Sequence, residues 1–259
     1  MPTPWEILLD PLSLTIIGLF AGLATWEALA PRRVLPAMPG WRLRGLAAFA
    51  VFFFLSSYLP MLWDDHLAAW QLFDLSGLGV AGGALAGMLV SQLLGYWWHR
   101  ALHRSDTLWL GLHQMHHSAE RLDAWSAYWF SPLDMVGWTA VGSLALVLVV
   151  GVDPRAATLV LLLTSFLDIF THANVRTPRW LGYLVARPEM HAVHHTRGVH
   201  RYNFASLPVL DMLFGTYRNP RTWDHQTGFY DGASRRVGAM LLFRDVSQPE
   251  GPPREPAEA

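Results

Sequence analysis

Long apolar stretches fill most of the first two thirds of the chain, broken by short segments rich in arginine, aspartate, glycine and proline. A helix needs roughly 20 mostly apolar residues to cross a membrane, because each residue advances it about 1.5 Å through a hydrocarbon core of about 30 Å. Three stretches approach or reach that length: Leu12 to Leu29, Gly45 to Trp63 and Leu78 to Trp98. Two shorter ones, Met135 to Val152 and Ala156 to Phe170, are joined only by G-V-D-P-R and predict a hairpin that either spans or re-enters the membrane. So little charge over such long windows argues against the buried helices of a soluble protein. The pattern predicts an all-α integral membrane bundle of four to five transmembrane helices.

The polar segments then orient the bundle. Arg32, Arg33, Arg42 and Arg44 lie between the first two stretches, and Arg100, Arg104 and Arg121 follow the third. The segment between the second and third, D-D-H-L-A-A-W-Q-L-F-D, has no arginine. Basic residues favour cytoplasmic loops, so the N-terminus is expected outside and the C-terminus inside, in a bacterial inner membrane. No basic segment precedes the first apolar stretch, which is therefore expected to stay in the mature protein rather than act as a signal peptide. One membrane-embedded domain over residues 1–244 is expected, with a disordered, proline-rich polar tail over 245–259.

Composition narrows the chemistry. The chain of 259 residues is 52% hydrophobic and 15% charged, with a formal net charge of −1. No global field points to nucleic acid. The absence of cysteine removes disulfides, thiolate metal sites and cysteine nucleophiles. Histidine is the conspicuous residue: there are twelve. His99 and His103 sit four apart at the end of the third apolar stretch. H-Q-M-H-H supplies His113, His116 and His117, H-A-V-H-H supplies His191, His194 and His195, and His172 follows the fifth stretch. Residues three or four apart share a helical face, so the first histidine of each H-x-x-H-H box is expected to align with both later ones. The adjacent pair diverges by about 100°, so one box can serve two neighbouring ions. Nine imidazoles exceed what one tetrahedral or octahedral ion uses, and two metals are predicted. Imidazole suits Zn, Cu, Fe and Ni alike. Asp168, His200 and Asn203 are candidates to orient a ligating ring or to add a ligand; His66 and His225 are expected to be solvated.

H-x3-H followed by two H-x-x-H-H boxes on a membrane scaffold resembles the fatty acid hydroxylase / sterol desaturase superfamily. The run N-F-A-S-L-P-V-L-D-M-L-F-G-T-Y from Asn203 to Tyr217 is similar to that family's N-Y-G-x-x-L-x-x-W-D-x-L-F-G-T-Y signature. The resemblance covers about residues 95–220. Three positions depart from it: Asn203-Phe204-Ala205 stands for N-Y-G, Leu210-Asp211 for Trp-Asp, and Ser131-Pro132-Leu133-Asp134 for an H-P-L-E-like segment.

The resemblance implies a cytoplasmic helical cap holding two Fe ions on His99, His103, His113, His116, His117, His172, His191, His194 and His195, with Zn able to substitute in purified material. It implies O2 as co-substrate and hydroxylation of a fatty-acyl, sterol-like or isoprenoid membrane lipid, with desaturation as the alternative on the same scaffold. Electrons are expected from a separate ferredoxin, rubredoxin or cytochrome b5-like donor; Arg197, Arg201, Arg218 and Arg221 either offer it a docking patch or serve the positive-inside topology and bind lipid headgroups. Trp125, Tyr128, Trp129 and Phe130 are expected either to line a lipid entry or to anchor at the interface. A membrane metal-binding or transport protein would instead place ionisable groups within the spans, and a zinc-dependent hydrolase would need a carboxylate base in the boxes.

Overall fold

A computed structural model describes residues 1–249. They fold into helices and loops with no β-strand; Thr196 and Thr227 form one isolated bridge. Five helical segments are long and apolar enough to cross a membrane: Pro11–Leu29, Trp41–Ala68, Ser76–Arg104, Pro132–Val149 and Pro154–His172. Five such spans make an integral membrane bundle.

The starts of three spans are written in short polar–proline pairs. The Asp10, Ser131 and Asp153 side chains accept from backbone amides of the first helical turn, and a proline follows each. The cap satisfies an otherwise free N–H, while proline at the first position gives up none that the helix needs. The second span continues past its expected end at Trp63, with a break at Leu59 before Pro60, where the ring removes a helical hydrogen bond. The third runs on past Trp98 to Arg104, so His99 and His103 are part of the helix itself.

The fourth and fifth spans form a hairpin that runs the full height of the bundle. At its tip, Leu148, Val149 and Val150 carbonyls accept from the amides of Leu72, Phe73 and Leu75 in the loop between the second and third spans, at 2.7, 3.1 and 3.0 Å. The fifth span packs against the first and third, and the second against the fourth. Close approach of the third span depends on Gly83 and Gly87. A Cβ added at Gly83 would lie 2.9 Å from the Ala156 Cβ, and one at Gly87 2.9 Å from a Leu146 methyl. Small residues take this role where lipid supplies no hydrophobic drive between helices.

At the opposite end of the bundle the connecting segments knit into a cap. Glu27, buried near the end of the first span, accepts from the amides of Ala124 (2.8 Å) and Asn174 (3.0 Å). Arg32 N–H reaches the Asn174 carbonyl at 2.8 Å, and Trp41 Nε1–H reaches Asp123 at 2.9 Å. The arginine-bearing segments therefore share one end of the molecule with the histidines. Gln114, inside the first H-x-x-H-H box, donates to the Arg244 carbonyl and accepts from the Val246 amide, and Val246 is fully buried. Packing thus continues past the boundary expected at residue 244; residues 250–259 of the expected tail lie outside the described residues.

Candidate metal centre

Four short stretches of backbone deliver the imidazoles. His99 and His103 come from the last turns of the third span, and His172 ends the fifth. His113 closes a π-helical turn, Trp109–His113, and His116 and His117 lie in the short helix Gln114–His117 that follows it. Such wide turns re-aim side chains and recur at functional sites. His191 and His194 belong to the helix Pro188–His194, capped by His195. That helix is held by a buried ion pair of Arg187 with Glu189 at 3.0 Å, and Glu189 also accepts from Thr177 at 2.7 Å.

The nine histidines converge as two groups. His99, His103, His113, His117 and His194 form one, and His116, His172, His191 and His195 the other; within each, the ring nitrogens lie within 4.8 Å of one another. A metal–imidazole bond of about 2.1 Å places opposite ligands about 4.2 Å apart, so little closure is needed around an ion. Every i,i+4 pair stays together: His99 with His103, His113 with His117, and His191 with His195. The middle histidine of each box crosses to the other group, against the expectation that the first would align with both later ones. A step of three residues swings the side chain by about 300°, one of four by about 400°, on opposite sides of a full turn.

Hydrogen bonds fix the protonation of several rings. His99 Nδ1–H donates to the Phe204 carbonyl (2.9 Å), His194 Nδ1–H to the Tyr202 carbonyl (2.8 Å) and His172 Nδ1–H to the Asp168 carbonyl (2.7 Å). His113 Nδ1–H donates to the buried Asp134 carboxylate at 2.7 Å. In a neutral imidazole the other nitrogen is then a bare acceptor. The Nε2 of His99, so determined, faces that of His113 at 3.1 Å, and the bare, buried Nε2 of His194 has no partner among the described residues. A buried lone pair left without a donor is costly unless a cation meets it. Burial first, and neighbouring imidazoles second, hold His116, His117, His191, His194 and His195 well below the ordinary histidine range. They are neutral at pH 7 and free to coordinate, so the donor set fits two imidazole-bound metal ions.

The remaining candidates take different places. Asp168 orients His172 through its backbone carbonyl, not the expected carboxylate. His200 lies outside both groups with its Nδ1 3.0 Å from that of His117; burial pulls its pKa down to about 4. Asn203, in a left-handed conformation (φ 55°), binds the Met190 and Arg218 carbonyls and the Arg218 amide, bracing the last box without reaching a ring. His66 and His225 are exposed, as expected of solvated residues.

Tyr128 and Trp129 are core residues that pack the cap, stacked on Phe52 and tilted against Trp41. Half-buried Trp125 sits edge-on to Phe20, and Phe130 lies 4.3 Å from the His116 ring. Asp134 was the orienting group not singled out in the sequence. Ser131-Pro132-Leu133-Asp134 reads locally as a helix start, and nothing local tells that its carboxylate meets a ring twenty-one positions earlier.

Comparisons with known proteins agree with this geometry. The family model for fatty acid hydroxylase matches residues 84–216, from the third span through the Asn203–Tyr217 signature. The chain is 25% identical over 146 residues to sphinganine C4-monooxygenase 1 of Arabidopsis thaliana, covering 55% of this chain and 56% of that protein. It is 27% identical over 165 residues to alkylglycerol monooxygenase of Danio rerio (62% and 32%). With a very-long-chain aldehyde decarbonylase, GL1-1 of Oryza sativa subsp. indica, it shares 29% identity over 177 residues (62% and 26%). The chain thus spans from about a quarter to just over half the length of these relatives. No solved structure matches it. With just over half its length matched, the chain belongs to the fatty acid hydroxylase family, within the fatty acid hydroxylase / sterol desaturase superfamily.

Proposed function

We propose that the nine histidines hold two iron ions and that the protein uses O2 to hydroxylate a C–H bond of a membrane lipid, fatty-acyl, sterol-like or isoprenoid. The observation that carries this reading is the double convergence of buried imidazoles, with ring nitrogens facing one another at 3.0–3.2 Å. Iron would supply what the side chains lack, the reductive activation of O2, after which one oxygen atom enters the lipid and the other leaves as water. Zinc, having no redox chemistry, does not serve.

The chain's own residues do the rest. Asp134 and the carbonyls of Phe204, Tyr202 and Asp168 fix ring orientation, as partners on the far nitrogen of a ligating histidine commonly do. Phe130, Trp109, Phe204 and Trp138 pack against the rings and keep water away from them. Because His99, His103 and His172 end two spans, a lipid chain lying between the helices reaches the site without leaving an apolar surround.

The reaction consumes two electrons and two protons per lipid, supplied by a separate ferredoxin, rubredoxin or cytochrome b5-like donor on the cytoplasmic side. Arg201 and Arg218 are exposed and flank Tyr202, at 5.3 and 4.5 Å from its ring, and the Tyr202 carbonyl binds His194. With Arg221 they form the docking patch; Arg197 is turned to Asp231 at 3.3 Å. Expression with a matched redox pair under 18O2, followed by lipid mass spectrometry, tests the proposal. One labelled oxygen atom in a lipid product supports it. Loss of two hydrogens without label would assign desaturation, and a shortened aldehyde-derived chain would assign the reaction named for the rice relative.

A further inference from the structure

Two stretches of the cap are nearly free of charge. Residues 180–186, W-L-G-Y-L-V-A, lie between Arg179 and Arg187, and residues 202–217, between Arg201 and Arg218, contain Asp211 as their one charged side chain. Hydrogen bonds place both stretches alongside the spans. Gln92, in the third span, accepts from the Ser206 and Leu207 amides at 3.0 and 3.1 Å, and the Ser206 carbonyl accepts from the Ala186 amide at 2.8 Å. Gln92 precedes His99 by seven residues, so this contact lies about 10 Å along the span from its histidine end. Val185 and Leu207 pack against the apolar cluster shared by the third, fourth and fifth spans. Here the cap dips back along the bundle.

The helix in this dip, Pro208–Leu213, is inside out. Val209, Met212 and Leu213, three or four positions apart, share its outward face, and Val209 is 56% and Leu213 73% exposed. Its one charged residue, Asp211, is buried, accepting from the Phe204 and Ala205 amides (2.8 and 3.0 Å) and from the Thr216 hydroxyl (2.7 Å). In the neighbouring stretch Trp180, Tyr183 and Leu184 are exposed. We propose that the two stretches form a re-entrant wedge whose outer face is covered by the acyl chains of the leaflet on the histidine side. An exposed apolar patch marks a membrane or a protein contact, and continuity with the spans decides for lipid. Leu85, Leu89, Leu93 and Trp97, each four positions from the next, form an exposed stripe on the third span, and the Trp97 ring lies 4.9 Å from that of Phe214 at the end of the wedge helix. Backbone that enters hydrocarbon must have its polar groups satisfied within the protein, as Gln92 and Asp211 do here. The inner side of the wedge carries the Phe204 carbonyl that holds His99, so lipid packing on one side backs a ring on the other.

The test is site-directed spin labelling of the full chain, which has no cysteine of its own. Leu184→Cys and Leu213→Cys, both at exposed positions, are labelled one at a time and reconstituted in phosphatidylcholine vesicles. Relaxation of the label is read with oxygen, which concentrates in hydrocarbon, and with a nickel chelate, which stays in water. Leu89→Cys on the exposed stripe of the third span and His225→Cys on the exposed cap surface are the references. The oxygen-to-nickel ratio at both wedge positions is expected to exceed that at His225→Cys and to approach that at Leu89→Cys. A ratio at either position equal to that at His225→Cys would place that arm of the wedge in water and overturn the proposal. Shielding from both reagents would overturn it too, by assigning the face to a protein contact such as a second copy of the chain. No readout depends on metal or turnover, so the result stands apart from the proposed oxidation.

Discussion

The two histidine groups differ in how firmly their rings are held. In the group of five, His99, His113 and His194 each donate to a fixed acceptor, and His117 rests against His200. Among the described residues only His172 of the group of four has such an anchor, and the buried Nδ1 atoms of His116 and His195 have no partner there. An anchored ring presents its lone pair at little entropic cost, and a carboxylate partner makes it more basic. Under the proposed function, the five-histidine group is the tighter metal site and the four-histidine group the looser, more adaptable one.

Removing a ligand from either side gives the largest expected effect. His194→Ala and His116→Ala should each abolish lipid oxidation while the protein stays in the membrane. Elemental analysis then separates them: His116→Ala, left with three imidazoles in its group, should lose about one metal ion per chain, and His194→Ala, left with four, should lose less. Equal losses would erase the distinction between the groups, and normal activity in either variant would refute the ligand assignment.

Exchanging the orienting groups is a finer probe. Asp134→Asn removes the charge behind His113 and should cost roughly 10- to 100-fold in metal affinity or turnover. Asp168→Asn should leave metal content unchanged, since His172 leans on a backbone carbonyl. A larger loss from Asp168→Asn than from Asp134→Asn would reverse this assignment.

Acidity offers a smaller, graded test on metal-free protein. His116, His117, His191, His194 and His195 have lowered pKa values in the fold, so below about pH 6.5 the unfolded chain binds more protons than the folded one. The stability of the apoprotein should therefore be fully present above that pH and decline as pH falls beneath it. Thermal unfolding in detergent between about pH 7.5 and 5 reads the trend, and an apoprotein that gains stability on acidification would contradict the burial of neutral rings. At the bottom of the scale, His66→Ala should change neither activity nor metal content, because that side chain is exposed at the far end of the second span.

The spans and the histidine set were legible in the sequence because both are local signals. An apolar run long enough to cross a membrane, or an H-x-x-H-H box, is complete within one stretch of chain. What escaped the sequence reading is relational. The division into five and four depends on where the third span, the two boxes and the end of the fifth span meet, which no single segment encodes. The Asp134–His113 contact joins two segments whose local patterns say only "helix start" and "histidine box". Tyr128 and Trp129 have the composition of interface anchors, but neighbours from the second span and its entry, Phe52 and Trp41, make them core. The continuation of packing to Val246 rests on Gln114, whose long-range amide contacts leave no periodic trace.

The central claim is tested most directly by iron quantification combined with X-ray absorption at the iron edge on freshly prepared, active protein. Two iron ions per chain, each coordinated mainly by imidazole nitrogen, are expected. Active protein with no transition metal, or iron bound chiefly by oxygen or sulfur, would contradict it.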